Sequence, residues 1–279
     1  MKRIISAVLI FVLILSATLI SGCGKGEGDT SSVNEQSTEI NESEESTVPA
    51  KKLKIGSYNI ANGRDVKWDF KKIADDIMEK DLDIVGLQEV DQFCKRSLSS
   101  DTMRLLSIHT GMKYYTFFKC INYDGGEYGT AILSKYPIVK SDEVELNDGT
   151  KVERRLLTHA EIDVDGTVIN FYNTHLSLKD DFRAKEFGII AEQLKNVPRV
   201  FLTGDFNVDG YEEFETLAPL SYINNTETQY ITFPSSKSKI DNIFYSSEFT
   251  ENEEFQGILQ NNHSDHVMLY SEFEFIPEK

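Results

Sequence analysis

The chain has 279 residues and a formal net charge of −17. Seven acidic and five basic residues fall in 1–52, so residues 53–279 carry −15 of that total. A surface that grips nucleic acid tightly draws its affinity from surplus Lys and Arg on phosphates, and this stretch has no such surplus.

Lys2 and Arg3 form a short basic start, residues 4–20 are almost wholly apolar, and Ser21-Gly22-Cys23 follows. That order reads as a secretory signal over residues 1–22. Leu19-Ile20-Ser21-Gly22-Cys23 resembles the bacterial lipobox, which implies cleavage before Cys23, lipidation of Cys23 and an extracytoplasmic, membrane-anchored domain. An uncleaved anchor is the alternative, although roughly 17 apolar residues are marginal for a span. Residues 24–52 are rich in Gly, Ser, Thr, Glu and Asn and lack aromatic residues, so they read as a disordered tether. From Leu53 onward 227 residues remain, enough for one sizeable α/β domain.

Leu53–Ile60 alternates apolar and polar residues, as a strand does. Trp68, Phe70, Ile73 and Ile77 repeat at helical spacing over 68–78. Asp81–Val90 returns to a strand, and Thr102–Thr110 fits a helix stopped by Gly111. Tyr114–Ile121 and Thr130–Leu133 read as strands. Arg155–Val164 and Thr167–Asn173 form a hairpin across Asp165-Gly166. Asp181–Leu194 is expected to be helical. Arg199–Thr203, Ile240–Tyr245 and Val267–Phe275 are expected to be strands. Many strands with few helices point to two packed sheets with helices outside.

Polar groups recur where these strands give way to loops: Tyr58-Asn59-Ile60, Leu87-Gln88-Glu89, Asn173-Thr174-His175, Gly204-Asp205-Phe206-Asn207, Ile240-Asp241-Asn242 and Ser264-Asp265-His266. Loop ends on a rigid sheet are where functional groups sit. Alone, each has a plain structural reading: a solvated carboxylate, a turn or a cap. Hydrolysis of a phosphoester calls for a cation to neutralise charge, a base for water and an acid for the leaving oxygen. Carboxylates, amides and imidazoles supply that set, and oxygen ligands suit Mg²⁺.

The six motifs, in this order from about Lys54 to Phe273, resemble those of the endonuclease/exonuclease/phosphatase superfamily, the deoxyribonuclease I-like fold. The resemblance implies an α+β, four-layered α/β/β/α sandwich. It also implies a phosphoesterase that uses Mg²⁺, with Mn²⁺ as an alternative. Glu89, Asn59 and Asp265 would serve the metal. Asp205 would orient or deprotonate water, and Asn207 would hold the phosphate or the metal. His266 would move a proton with Asp241 fixing its tautomer, and His175 would contact a phosphate oxygen or act as a second acid/base group. Arg155, with Arg154 competing, and Tyr128, with Glu127 beside it, are substrate-side candidates. Arg96 and Arg183 are weaker ones. His109, His159 and His263 match no motif position.

Acidic charge and a lipid anchor favour small or lipid-derived phosphate esters at the cell surface. Extracellular DNA or RNA cleavage is the alternative, and a non-catalytic binding lipoprotein on the same scaffold is a third reading. Cys94 and Cys120 suit either a disulfide or two free buried thiols.

Overall fold

The structure is a computed structural model that describes residues 48–260 and 263–278. The signal segment, Cys23 and the tether up to residue 47 lie outside the described residues. Among the described residues, twelve strands form two six-stranded sheets. The first contains β1 (Lys51–Asn59), β2 (Ile84–Gln92), β3 (Tyr114–Tyr123), β4 (Gly126–Ser134), β11 (Thr250–Leu259) and β12 (Met268–Phe275), in the order β11-β12-β1-β2-β4-β3. The second contains β5 (Ile138–Asn147), β6 (Arg155–Val164), β7 (Thr167–His175), β8 (Val200–Asp205), β9 (Ser221–Tyr222) and β10 (Asp241–Tyr245), in the order β5-β6-β7-β8-β10-β9. β1–β2 and β7–β8 are parallel and the other pairs antiparallel.

Three apolar clusters separate four layers. One lies between the sheets and includes Ile55, Ile84, Ile132, Phe171, Phe201, Ile243 and Phe273. A second packs α1 (Phe70–Glu79) and α2 (Thr102–Thr110) on the outer face of the first sheet, through Ile73, Ile77 and Leu106 against Val85, Leu87 and Leu133. The third packs α3 (Asp180–Leu194) and a short 3₁₀ turn at Glu212–Leu217 on the second sheet, around Phe187, Phe206, Phe214 and Phe244. The expected α/β/β/α sandwich is the observed one.

Local chemistry sets several boundaries. Asp165 (φ 53°) and Gly166 (φ 95°) both adopt the positive φ of a two-residue hairpin turn. Asp101 caps α2 through a hydrogen bond from the Arg104 N–H, and Gly111 ends it in the left-handed region. Other expectations need correction. β1 begins at Lys51, inside the expected tether. α1 begins at Phe70, because Lys67 and Trp68 take φ 54° and 62°, which a helix cannot continue through. β5 and β11 were not anticipated. They are edge strands rich in charged residues: β5 is largely exposed, and the acidic first half of β11 gives way to half-buried Phe255 and Ile258 with no regular apolar alternation. Cys94 and Cys120 are free and buried, and burial pushes the thiols up to about 11 and about 12 respectively.

The sheets are also joined by a buried polar bridge. Asn173 of β7 donates from Nδ2 to the carbonyls of Leu87 (2.9 Å) and Ala131 (3.1 Å) and accepts at Oδ1 from Gln88 Nε2 (2.7 Å). The register of β2 on β4 shifts between Leu87 and Val90, and the Asn173 amide reaches carbonyls beside this bulge. Gly86 makes the approach feasible, since a Cβ there would lie 2.0 Å from Thr203 Oγ1 and 2.7 Å from Asn173 Oδ1. Asn173→Ala strands several buried groups at once. It should cost about 2–4 kcal/mol and lower the melting temperature by roughly 5–10 °C. A calorimetric loss below about 2 °C would show that the bridge contributes little.

Candidate active site

Topology carries the polar residues to one edge of the sandwich. Asn59, His175 and Asp205 are the last residues of the strands β1, β7 and β8. Asp241 opens β10, which runs antiparallel to β8 and sets Asp241 opposite Asp205. His266 lies two residues before β12, which runs antiparallel to β1. Glu89 is inside β2, on the bulge, with φ 54°. The bulge turns its carboxylate towards Asn59 instead of leaving it on the regular alternation of the strand.

Asn59 is completely buried. The Ala61 N–H donates to its Oδ1 (3.0 Å), which fixes the amide with Nδ2 towards the acids. Nδ2 lies 3.2 Å from Glu89 Oε1, 3.0 Å from Asp205 Oδ2 and 3.4 Å from His266 Nε2. Asn59 therefore presents a donor, not an oxygen, to the carboxylates. Asp205 Oδ2 is 3.6 Å from both His175 Nε2 and His266 Nε2, and its Oδ1 accepts from the Asn207 N–H at 3.0 Å. Asn207 takes φ 53° and donates from Nδ2 to the Leu176 carbonyl at 2.8 Å. His266 Nδ1 pairs with Asp241 Oδ2 at 2.9 Å, and the Phe233 ring packs on its imidazole. The Thr232 hydroxyl accepts from the Asp241 N–H, and the Ser264 hydroxyl ties the His266 loop to the Asn59 carbonyl.

The electrostatics follow from burial and from acids placed side by side. Burial, reinforced by Asp241, pushes the Asp205 carboxyl up to about 7. Burial also opposes charge on His266, but Asp241 and Asp205 outweigh it and hold this imidazolium to about 10. His175 stays neutral: burial, then the Arg155 and His266 charges, drive it well below its usual range. Burial raises Glu89, with the Asn59 N–H working against it and Asp265 working with it.

Two sets of atoms could hold a cation. Ligand atoms of Asp205, Asp241 and His266 lie within 4.8 Å of one another. That arrangement already has a short Asp241–His266 hydrogen bond, which an ion would have to break. Glu89 is the better anchor. It is desolvated, its only hydrogen bond among the described residues is from Asn59, Asp265 is its acidic neighbour, and it borders a cavity of about 210 Å³. Glu89 and Asp265 form an all-oxygen pair that fits a hard divalent ion, which would take the place of the exposed Arg64 guanidinium on Asp265. The larger cavity, about 500 Å³ between the end of α3 and Leu217–Leu220, contains none of these residues.

The remaining candidates separate. Asp265 joins the site edge and pairs with Arg64, a residue that no motif had singled out. Arg155 is buried, bonds Glu153 and bears on His175, whereas Arg154 pairs with Glu145 and Glu143 away from it. Tyr128 lies near Glu89 and under Arg96, while Glu127 pairs with Lys119. Neither hydrogen-bonds His175 among the described residues. Arg183 is spent on Glu213 and Asp180 beside α3 and is no part of the site. His109 is exposed on α2, and His159 is buried against Asp142, Asn170 and Tyr172. His263 binds buried Asp76 of α1.

Residues 56–266 match the sequence model of the Endonuclease/Exonuclease/phosphatase family. The chain belongs to that family. Its members are hydrolases of phosphoester bonds and typically depend on a divalent metal. Solved structures share the family's fold. A family protein from Bacteroides thetaiotaomicron aligns with TM-score 0.63 at 21% identity, over 81% of this chain and 99% of that one. A mannosyl-6-phosphatase from B. thetaiotaomicron aligns with TM-score 0.60 at 21% identity, over 79% and 99%. D. rerio TDP2, complexed with a single-strand DNA product, aligns with TM-score 0.63 at 20% identity, over 80% and 99%. Comparison with curated protein sequences finds no match.

Raised values for Asp205 and His266 mean that the folded protein holds protons the unfolded chain releases. Their contribution to stability is full on the acid side and is lost as pH rises, through about 7 for Asp205 and about 10 for His266. In chelator, the melting temperature of the wild type should fall more steeply between about pH 5 and pH 8 than that of Asp205→Asn. The excess should be roughly 4 °C or more. Parallel slopes would show that Asp205 is not raised.

Proposed function

We propose that this chain is a divalent-cation-dependent phosphoesterase that cleaves small or lipid-derived phosphate esters, with Mg²⁺ or Mn²⁺ as its cation. The observation that carries this reading is the sharing of the Asn59 amide between Glu89 and Asp205, with His266 alongside. Glu89 and Asp265 would hold the cation, with Asn59 aligning Glu89. When bound, the cation neutralises charge that develops on the phosphate.

The protein's own groups account for the proton movements. Asp205, poised near neutrality, takes a proton from the attacking water. The water oxygen bonds to phosphorus, and the bond to the ester oxygen breaks. His266, kept protonated by Asp241, gives its proton to the departing alkoxide. Asn207 keeps one amide hydrogen free for a phosphate oxygen, since the other is held by the Leu176 carbonyl. Neutral His175 contributes an uncharged hydrogen bond, and Arg155 adds positive charge behind it.

With bis-p-nitrophenyl phosphate or p-nitrophenyl phosphate and Mg²⁺, His266→Ala and Asp205→Asn should each lower kcat by about 10²–10⁴ fold. Chelator should abolish turnover and Mg²⁺ restore it. Equal rates for wild type and His266→Ala would end this reading. DNA cleavage that falls steeply with salt would favour the nuclease alternative, against which the domain charge of −15 argues.

The same reading sets the domain at the outer face of a bacterial membrane, held by a lipid on Cys23. It rests on the N-terminal pattern alone. Cys23→Ser should move the protein from the membrane fraction to the soluble or precursor fraction; unchanged partitioning would exclude the lipid anchor.

A further inference from the structure

The cavity of about 210 Å³ that Glu89 borders is otherwise lined by Asn62, Arg64, Arg96, Ile121, Tyr123, Tyr128 and Glu153, and beyond Glu89 no step above uses these walls. Two of its polar side chains are more than nine-tenths buried yet make no hydrogen bond among the described residues: the Asn62 amide, 4% exposed, and the Tyr128 hydroxyl, 8% exposed. Neither polar group is sealed from solvent, so each faces the cavity with its hydrogen-bonding capacity open to a polar occupant. Asn62 is also held at φ 49°, which fixes its backbone beside the site.

Arg96 is set for recognition. The buried Asp91 carboxylate binds its Nε (2.8 Å) and Nη2 (2.7 Å), and the guanidinium carbon sits over the Tyr123 ring, 4.1 Å from its centre. Both interactions immobilise it, and Nη1 makes no hydrogen bond among the described residues. The Tyr123 ring is 43% exposed, Glu153 offers a carboxylate at the rim, and Arg64 supplies a second guanidinium.

We infer that this cavity binds the alcohol portion of the substrate, and that this portion is a hydroxylated ring, a sugar or a cyclitol. The inference rests on the phosphoesterase reading, because only an ester held at Glu89 would project its alcohol there. The wall chemistry selects the class. An amide, a phenol, a carboxylate and a guanidinium edge together offer donors and acceptors at several angles, which suits vicinal hydroxyls. One partly exposed tyrosine ring suits the apolar face of a saturated ring. A nucleobase would want an apolar slot, and a simple aryl group would leave the Asn62 and Tyr128 groups unsatisfied.

The test compares esters of four kinds on wild type, Asn62→Ala and Tyr123→Ala. They are the two nitrophenyl phosphates, glucose 6-phosphate, the cyclitol esters inositol 1-phosphate and glycerophosphoinositol, and a thymidine dinucleotide. In wild type, at least one polyol ester should exceed the nitrophenyl esters in kcat/KM once the leaving-group advantage of nitrophenol is normalised by the uncatalysed rates. In both variants the polyol-to-nitrophenyl ratio of kcat/KM should fall at least tenfold. Glucose and inositol arms separate a sugar from a cyclitol headgroup. No hydrolysis of any ester with Mg²⁺ would overturn the phosphoesterase reading and this inference with it. Nitrophenyl hydrolysis with an unchanged ratio in both variants would overturn the subsite alone. A ratio that falls only for the dinucleotide would overturn the hydroxylated-ring class.

Discussion

The Asn59 amide joins the chemistry of one sheet to that of the other. Its oxygen is pinned by the Ala61 N–H, so its two hydrogens face Glu89 on the first sheet and Asp205 on the second. Asp205 is buried and Glu89 half-buried, and two anions in a low-dielectric cleft repel strongly. A shared neutral donor cannot cancel their charge, but it ties both carboxylates to one point between the sheets. The remaining charge is met unequally. His266 lies between Asp205 and Asp241, whereas Glu89 has no cation bonded to it among the described residues. The imbalance on the Glu89 side is why a divalent ion suits that side of the cleft and an imidazolium the other.

Rigidity behind the cleft has a separate origin. Asn173 and Gln88 sit beside site residues in sequence but point between the sheets, where they fill the gap opened by the β2 bulge. The same bulge gives Glu89 its left-handed backbone and its aim. Glu89 and Asn207, both non-glycine residues near φ 50°, each adopt a conformation that costs of order 1–3 kcal/mol. The surrounding packing and the polar bridge offset that cost, so local strain is converted into placement of two functional groups.

How far the sequence foretold this depends on what each residue answers to. Strands buried on both faces, such as Ile84–Val90 and Val200–Asp205, announce themselves because their apolar runs have no other use. The Asp165-Gly166 turn is legible because few residue pairs tolerate two positive φ values. β5 and β11 were illegible for the opposite reason: as edges, they are shaped by solvent and by avoidance of further pairing. At the site, Asn59, Glu89, His175, Asp205, Asn207, Asp241, Asp265 and His266 stood out because they follow strands in a recurrent order. Asn62 and Arg64 did not, since their importance arises from where a loop folds back, which no spacing rule encodes. Arg183 shows the converse error. It is a weaker substrate-side candidate in the sequence, yet Glu213 and Asp180 bind it beside α3.

The strand order has a consequence for when the site can exist. β12, drawn from the last residues described, lies between β11 and β1, and His266 comes just before it. Asn59 emerges some 200 residues before the histidine beside it. The chain can therefore build most of the second sheet while β1, already able to pair with β2, still lacks its second neighbour. Closure of that distant pairing is an entropically slow event. Until it happens Asp205, His266 and Asn59 are not gathered in one place. Fragments cut short of the final strand would therefore lack the assembled cleft, whatever else they had folded.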